Sequence, residues 1–283
     1  MRAFILLCLL MPLQAMSDTS LWRVSKNGAE LFIGGTVHVL GKQDYPLPKE
    51  FNLAYNQAQM LVLETNLNDM NKPEIQTLLM QKLLYSKGES LKQHLKPATY
   101  QALEKFLKGR DIPVSNFQQF KPTMVMLALM ISELQRLGLA ESGVDDFFNR
   151  KAMAESKTLG QLESVSKQID VLENMGKGHE DELILSTLND LKTLPIMMRD
   201  LKTAWRNGDL AQLETIGITP LAKDYPALYQ IVLVERNMSW IPQIEALLKT
   251  PETELILIGA LHLAGKDGLL VQLRQRGYKV EAF

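Results

Sequence analysis

The chain carries one cysteine, Cys8, in 283 residues. That cysteine lies in an N-terminal stretch expected to be removed, so no disulfide staples the mature chain and no thiol does chemistry. It also sits too early for a lipoprotein anchor. Charge of one sign is lacking too: 31 Lys and Arg against 32 Asp and Glu leave a formal net charge of -1, with no basic run and no acidic tail. This removes the electrostatic case for nucleic acid or an acidic membrane as partner. No apolar run approaches the roughly 20 residues that span a bilayer. Linkers, low-complexity tracts and short-period repeats are missing, and so are the familiar catalytic signatures. Gly259 to Lys266 has the wrong spacing for a phosphate loop, with Asp267 where Ser or Thr belongs. Gly176-Lys-Gly178 lacks the third glycine of a dinucleotide fold. No Gly-x-Ser-x-Gly elbow occurs. His179-Glu180 lacks the second histidine of a zinc-protease helix, since Leu183 stands there.

What is present begins with a leader. Met1-Arg2 is a short positive start, Ala3 to Met11 is apolar, and Ala15 offers a small residue for cleavage. This is the pattern of a secretory signal peptide. Residues 1–15 are therefore expected to be a signal peptide and 16–283 a single domain, located in the periplasm or outside the cell.

The stretch Leu31-Phe-Ile-Gly-Gly-Thr-Val-His38 reads as a buried strand running into glycine and then presenting a histidine. Leu255-Ile-Leu-Ile-Gly-Ala-Leu-His262 repeats the idea near the other end. Glycine at a strand end lets the backbone bend or another group approach closely. Open α/β sheets place ligands at the carboxyl ends of their strands. Two such copies, in a chain with only 4 histidines, point to one shared site. Asn27-Gly28 predicts a hairpin into the first copy. A helix over about 49–59 and a strand Met60–Glu64 follow, which makes a βαβ-like unit whose strands end in His38 and Glu64.

Residues 72 to 247 read as mainly helical, with a break near Pro195, an irregular stretch over 220–229 and a kink or break at Pro242. Met124 to Ile131 reads as a helix buried on most sides. The sheet segments thus sit at the two ends of the sequence. The expected fold class is α/β (α+β): a split mixed sheet from N- and C-terminal segments, with a long helical insertion.

Two histidines and a carboxylate suit a divalent metal with one position left open for water. His38, His262 and Glu64 are the candidates. Each also has an ordinary reading, a histidine bonded to a nearby carbonyl or a glutamate at the surface.

The pairing of Gly35-Thr-Val-His38 with Gly259-Ala-Leu-His262 resembles the TraB/PrgY/GumN/Tiki family, which is marked by two Gly-x-x-His motifs with a glutamate between them. The resemblance runs over nearly the whole mature chain. Leu47-Pro48 with Ala54, Ala58 and Leu63-Glu64 is similar to the family's first βαβ segment. Gly143-Val-Asp145 is similar to its central Gly-Ile-Asp motif, and Leu162-Glu163-Ser164 with Gln168 to its Leu-Glu-Thr…Gln segment. Arg236-Asn237 with Trp240 resembles its Arg-Asn…Trp motif, and Gly265 and Gly268 match the glycines after the second histidine. Ser164 in place of Thr is a mild departure. The resemblance implies a split α/β sheet like the erythromycin-esterase and ChaN-like folds. Tiki members are membrane-tethered, metal-dependent proteases. Carried over, His38, Glu64 and His262 would hold a divalent ion, manganese or cobalt in the Tiki manner, with zinc or iron as alternatives. Asp145, Glu163, Arg236 and Asn237 would line the same cleft.

On this reading Glu64 completes the metal shell or acts as general base, and Glu163 is the alternative base. Arg236 stabilises an oxyanion or grips a substrate carboxylate; alternatively it forms a buried ion pair with Asp145 or Glu163. Trp240 belongs to the core. The expected function is a metal-dependent hydrolase acting on peptides. A non-catalytic protein that sequesters a peptide or haem is the alternative, and metal-free acid–base hydrolysis by His and Glu a third.

Overall fold

Asn27-Gly28 turns the chain between β1 (Leu21–Lys26) and β2 (Ala29–Thr36). Both turn residues have positive φ, 52° and 88°, which is the backbone a two-residue type I′ hairpin needs. The strands pair antiparallel from Lys26↔Ala29 to Leu21↔Gly34. The structure, a computed structural model, describes residues 19–283; the expected signal peptide lies outside the described residues.

The remaining strands are β3 (Val39–Leu40), β4 (Met60–Leu63), β5 (Glu141–Ser142), β6 (Thr158–Gln161), β7 (Glu254–Gly259) and β8 (Lys279–Ala282). Six of the eight strands among the described residues form one mixed sheet in the order β6-β4-β7-β2-β1-β8, and β3 and β5 pair separately. The neighbours β6, β4, β7 and β2 run parallel, and β1 is antiparallel to both β2 and β8. The C-terminal β7 is inserted between β4 and β2, in register from Phe32↔Leu255 to Thr36↔Gly259. The split sheet expected from the sequence is thus present. The two Gly-x-x-His segments, from opposite ends of the chain, are immediate neighbours.

Both faces of this sheet are covered, which explains the unbroken aliphatic runs. Phe32, Leu255 and Leu257 pack on one side with Phe51, Tyr55, Phe148 and Trp205. Leu31, Ile33, Ile256 and Ile258 pack on the other with Trp240, Ile244, Leu269 and Leu273. Each fully buried aliphatic side chain contributes about 1.5–3 kcal/mol, so the central strands are the best-anchored part of the molecule. A third core joins the helices Pro97–Lys108, Pro122–Arg136 and Glu180–Arg206 through Leu103, Leu107, Val125, Leu129, Ile184 and Leu191. The helical insertion is therefore present, with its own packing.

Three local expectations are corrected. Glu180–Arg206 is one continuous helix with Pro195 inside it. Pro195 points to the exposed side, while Leu188, Leu191 and Leu194 before it and Ala204 and Trp205 after it are buried; packing at both ends outweighs the one lost backbone hydrogen bond. The stretch around 220–229 is helical, as Thr219–Asp224 and Pro226–Tyr229, between π-helical turns at Glu214–Ile218 and Gln230–Val234. Pro220 and Pro226 sit in first turns, where a missing N–H costs nothing. The last long helix, Glu235–Leu247, also continues through Pro242. Among the described residues, no helix is long and apolar enough to cross a membrane.

Candidate active site

At the carboxyl edge of the parallel strands, Gly259 is the point of closest approach. A Cβ added there would lie 3.3 Å from Glu64 Oε1, 3.6 Å from His38 Nε2 and 3.6 Å from His262 Cδ2. A glycine at this strand end thus lets three side chains from three strands converge. The backbone N–H of Gly259 donates to Glu64 Oε1 at 2.7 Å. Gly35 plays the matching part on β2, where a Cβ would press on Ala260 and Leu263 at 3.1 Å.

His38 leaves the end of β2 and is held from behind. Its Nδ1 lies 3.0 Å from Asp145 Oδ1. Asp145 reaches it because Gly143 has no side chain: a Cβ there would overlap the backbone of His38. The Val144 N–H donates to Val37 O at 3.1 Å, and β3 pairs with β5 just beside it, Val39↔Ser142. The nearby Asp145 carboxylate, helped by Glu64, raises the His38 imidazole from 6.5 to about 9. The ring remains 62% exposed.

His262 is the opposite case. It lies in the turn Ala260–Leu263 after β7 and is 7% exposed. Arg236 Nη1 lies 3.0 Å from its Nε2, and Asn237 Oδ1 2.6 Å from its Nδ1. A guanidinium can only donate, so Nε2 must carry the lone pair and Nδ1 the proton. Asn237 then presents its oxygen to the ring, while its Nδ2 donates to the backbone oxygens of His262 at 3.1 Å and Asp267 at 2.9 Å. Burial first, and Arg236 next to the ring, push His262 down from 6.5 to about 4 against the pull of Glu64. It is neutral at neutral pH.

Arg236 is the hub. Its Nη2 donates to Glu64 Oε2 at 2.5 Å and to Glu163 Oε1 at 2.7 Å, and its Nε donates to Glu163 Oε1 at 3.1 Å. The two carboxylates share one cation that is 12% exposed. The paired readings of Arg236 thus resolve toward an ion pair, with Glu163 and Glu64 as partners and Asp145 on His38 instead. Burial alone would raise Glu64, but the facing His262 ring, the Arg236 and His38 cations and the Gly259 N–H favour its carboxylate and lower it to about 2. Glu163 stands on the far side of Arg236. Its second oxygen receives the Trp240 indole N–H at 3.3 Å. Trp240 is fully buried and tilts against the His262 ring at 4.5 Å. Gly265, with φ of +75°, turns the chain after His262.

The structure therefore brings His38, Glu64, Asp145, Glu163, Arg236, Asn237 and His262 into one connected cluster. Gln168 joins it without having been singled out as a site residue; its Nε2 donates to Glu64 Oε2 at 3.4 Å. The Leu-Glu-Ser…Gln spacing was the available signal. Thr36 and Thr65 also flank the cluster, and their buried hydroxyls have no partner in the structure. Two hollows meet at Thr36, His38 and Glu64, of about 280 and 380 Å³. A wider one, about 410 Å³, lies away from the cluster beside Asp44, Lys202 and Arg206, and Lys202 there is already paired with Asp44 at 2.6 Å.

A metal held by His38, Glu64 and His262 does not fit these residues as they stand. Arg236 takes the His262 lone pair and one Glu64 oxygen, and the Gly259 N–H takes the other. A permanent cation sits where a second cation would need its ligands. Among the described residues, no group of three or more His, Cys, Asp or Glu side chains has the spacing to hold an ion.

Compared with known proteins, residues 20–282 match a family model described as the TraB/PrgY/gumN family. No curated protein matches the chain, and no solved structure does.

Proposed function

The chain belongs to the TraB/PrgY/gumN family, and from that premise and the site's geometry we propose that it is a hydrolase of peptide bonds that activates water through the Asp145–His38 pair. The observation that carries this reading is the asymmetry of His38. Its Nδ1 is held by a carboxylate, while its Nε2 lies beside Gly259, and the residue lines both hollows. In the fraction of molecules whose His38 ring is deprotonated, a fraction that grows toward pH 9, a water bonded to Nε2 gives that atom its proton as the oxygen attacks the substrate carbonyl carbon. Asp145 holds the ring and stabilises the imidazolium that forms. The same proton then passes to the leaving nitrogen as the carbon–nitrogen bond breaks, and the products are a carboxylate and an amine. Arg236, Glu163 and Asn237 are positioning residues: they fix Glu64 and His262, which form the floor. Export by the signal peptide expected at residues 1–15 would put this chemistry in the periplasm or outside the cell.

The resemblance to the metal-dependent Tiki members carries a second reading, a metal-dependent form of the same activity with manganese, cobalt, zinc or iron on His38, Glu64 and His262. That form requires Arg236 to leave His262 Nε2. Chelation separates the two. Peptide hydrolysis should survive exhaustive chelation and fall about 10²–10⁴-fold in His38→Gln. Loss of activity on chelation, restored by one of these ions, would replace the Asp145–His38 reading with the metal one. No hydrolysis of any peptide in a broad library would sink both.

A further inference from the structure

Thr36, His38 and Glu64 form the ridge between the two hollows. The smaller one is also lined by Thr65, Asp145 and Gln168. The larger is walled by Met198, Leu201, Leu221, Val232, Leu233 and Leu261, brought together from the long helix, the helix Thr219–Asp224, the π turn and the turn after β7. All but Leu233 are only partly buried. Protein interiors close on themselves when apolar side chains face one another. Here they surround about 380 Å³ of space that opens onto the reactive histidine. Besides His38 and His262, the charge-bearing groups in that lining are Glu64 and Arg236, which neutralise each other at 2.5 Å. Away from the His38 ring, the wall therefore offers apolar contact and no free partner for a charged side chain.

We propose that this lobe receives one large aliphatic or aromatic side chain of the peptide substrate, beside the bond presented to His38, and so selects which bond is cut. The inference rests on the hydrolase reading above and specifies its substrate.

Binding tests it apart from turnover. The probes are N-acetylated alaninamide, valinamide, leucinamide and phenylalaninamide, titrated into the full chain and into Leu221→Trp, with fluorogenic peptides varied at one position assayed in parallel. Leu221 is on the wall and outside the catalytic cluster. In the unmodified protein, affinity should rise about four-fold for each methylene buried, and kcat/KM should follow the same ranking. Leu221→Trp should abolish the advantage of leucine and phenylalanine over alanine, in binding and in kcat/KM alike. If that variant fails to fold, Leu221→Ala should move the optimum to the larger ring. Graded binding without any cleavage keeps the pocket and sinks the hydrolase. Cleavage without a size preference, a preference unchanged by the Leu221 variants, or no graded binding overturns the pocket.

Discussion

Gly35-Thr-Val-His38 and Gly259-Ala-Leu-His262 lie side by side, with Thr36 opposite Gly259, and their two histidines meet opposite surroundings. His38 is 62% exposed, backed by a carboxylate and raised to about 9. His262 is 7% exposed, bonded on both nitrogens and lowered to about 4. The difference does not come from the motif, which is the same. It comes from what the rest of the chain brings: Asp145 behind one ring, Arg236 and Asn237 around the other. One motif used twice thus supplies one histidine free to exchange protons and one that is part of the wall.

The strongest way to break this comparison is to remove the hub. Arg236→Met leaves Glu64 and Glu163 buried without their cation and should cost about 3–5 kcal/mol of stability, measured by urea unfolding. Next come the two histidines. His38→Gln should cut hydrolysis about 10²–10⁴-fold and lose a contribution to stability that is present at neutral pH and gone above about pH 9. His262→Ala should destabilise by about 1–3 kcal/mol, since it strands the Asn237 oxygen and an Arg236 N–H. Stability losses with the same pH dependence in the two histidine variants would erase the distinction.

The pH dependence sharpens it. His262 and Glu64 are lowered from 6.5 to about 4 and from 4.5 to about 2. Over those windows the unfolded chain binds more protons, so stability falls as pH drops through them. His38 is raised, so its contribution is complete below 6.5 and is lost as pH rises through about 9. Melting temperature against pH should therefore slope down on both sides. The acid slope should shrink in His262→Gln, and the alkaline slope in Asp145→Asn. Hydrolysis should climb as His38 loses its proton toward pH 9, and Asp145→Asn should move that limb to lower pH. The smallest effect belongs to Thr65→Val. It replaces a buried, unpartnered hydroxyl, so stability should stay level or rise by up to about 1 kcal/mol in the same unfolding assay.

Much of this was legible in the sequence because the constraints on it are local. A strand buried on both faces must be aliphatic throughout, and a crowded strand end must be glycine, so both Gly-x-x-His copies, the Asn27-Gly28 hairpin and the strand ending at Glu64 could be read directly. The corrected elements depend on distant packing. Pro195 breaks an isolated helix, but Leu188, Leu191 and Leu194 on one side and Ala204 and Trp205 on the other hold Glu180–Arg206 together. The role of Arg236 was equally out of reach. Its residue type allowed an oxyanion donor or an ion pair, and only the approach of Glu64 from β4 and Glu163 from beyond β6 decides between them. Gln168 and the placement of Gly143 against His38 depend on the same long-range assembly.

The most direct test of the divided pair is an NMR titration of the imidazole ring signals in histidine-labelled protein, with His38→Gln and His262→Gln used to assign them. One ring, His38, should stay protonated until about pH 9, and another, His262, should stay neutral until about pH 4. Both rings titrating together near 6.5 would contradict it, as would His262 titrating above His38.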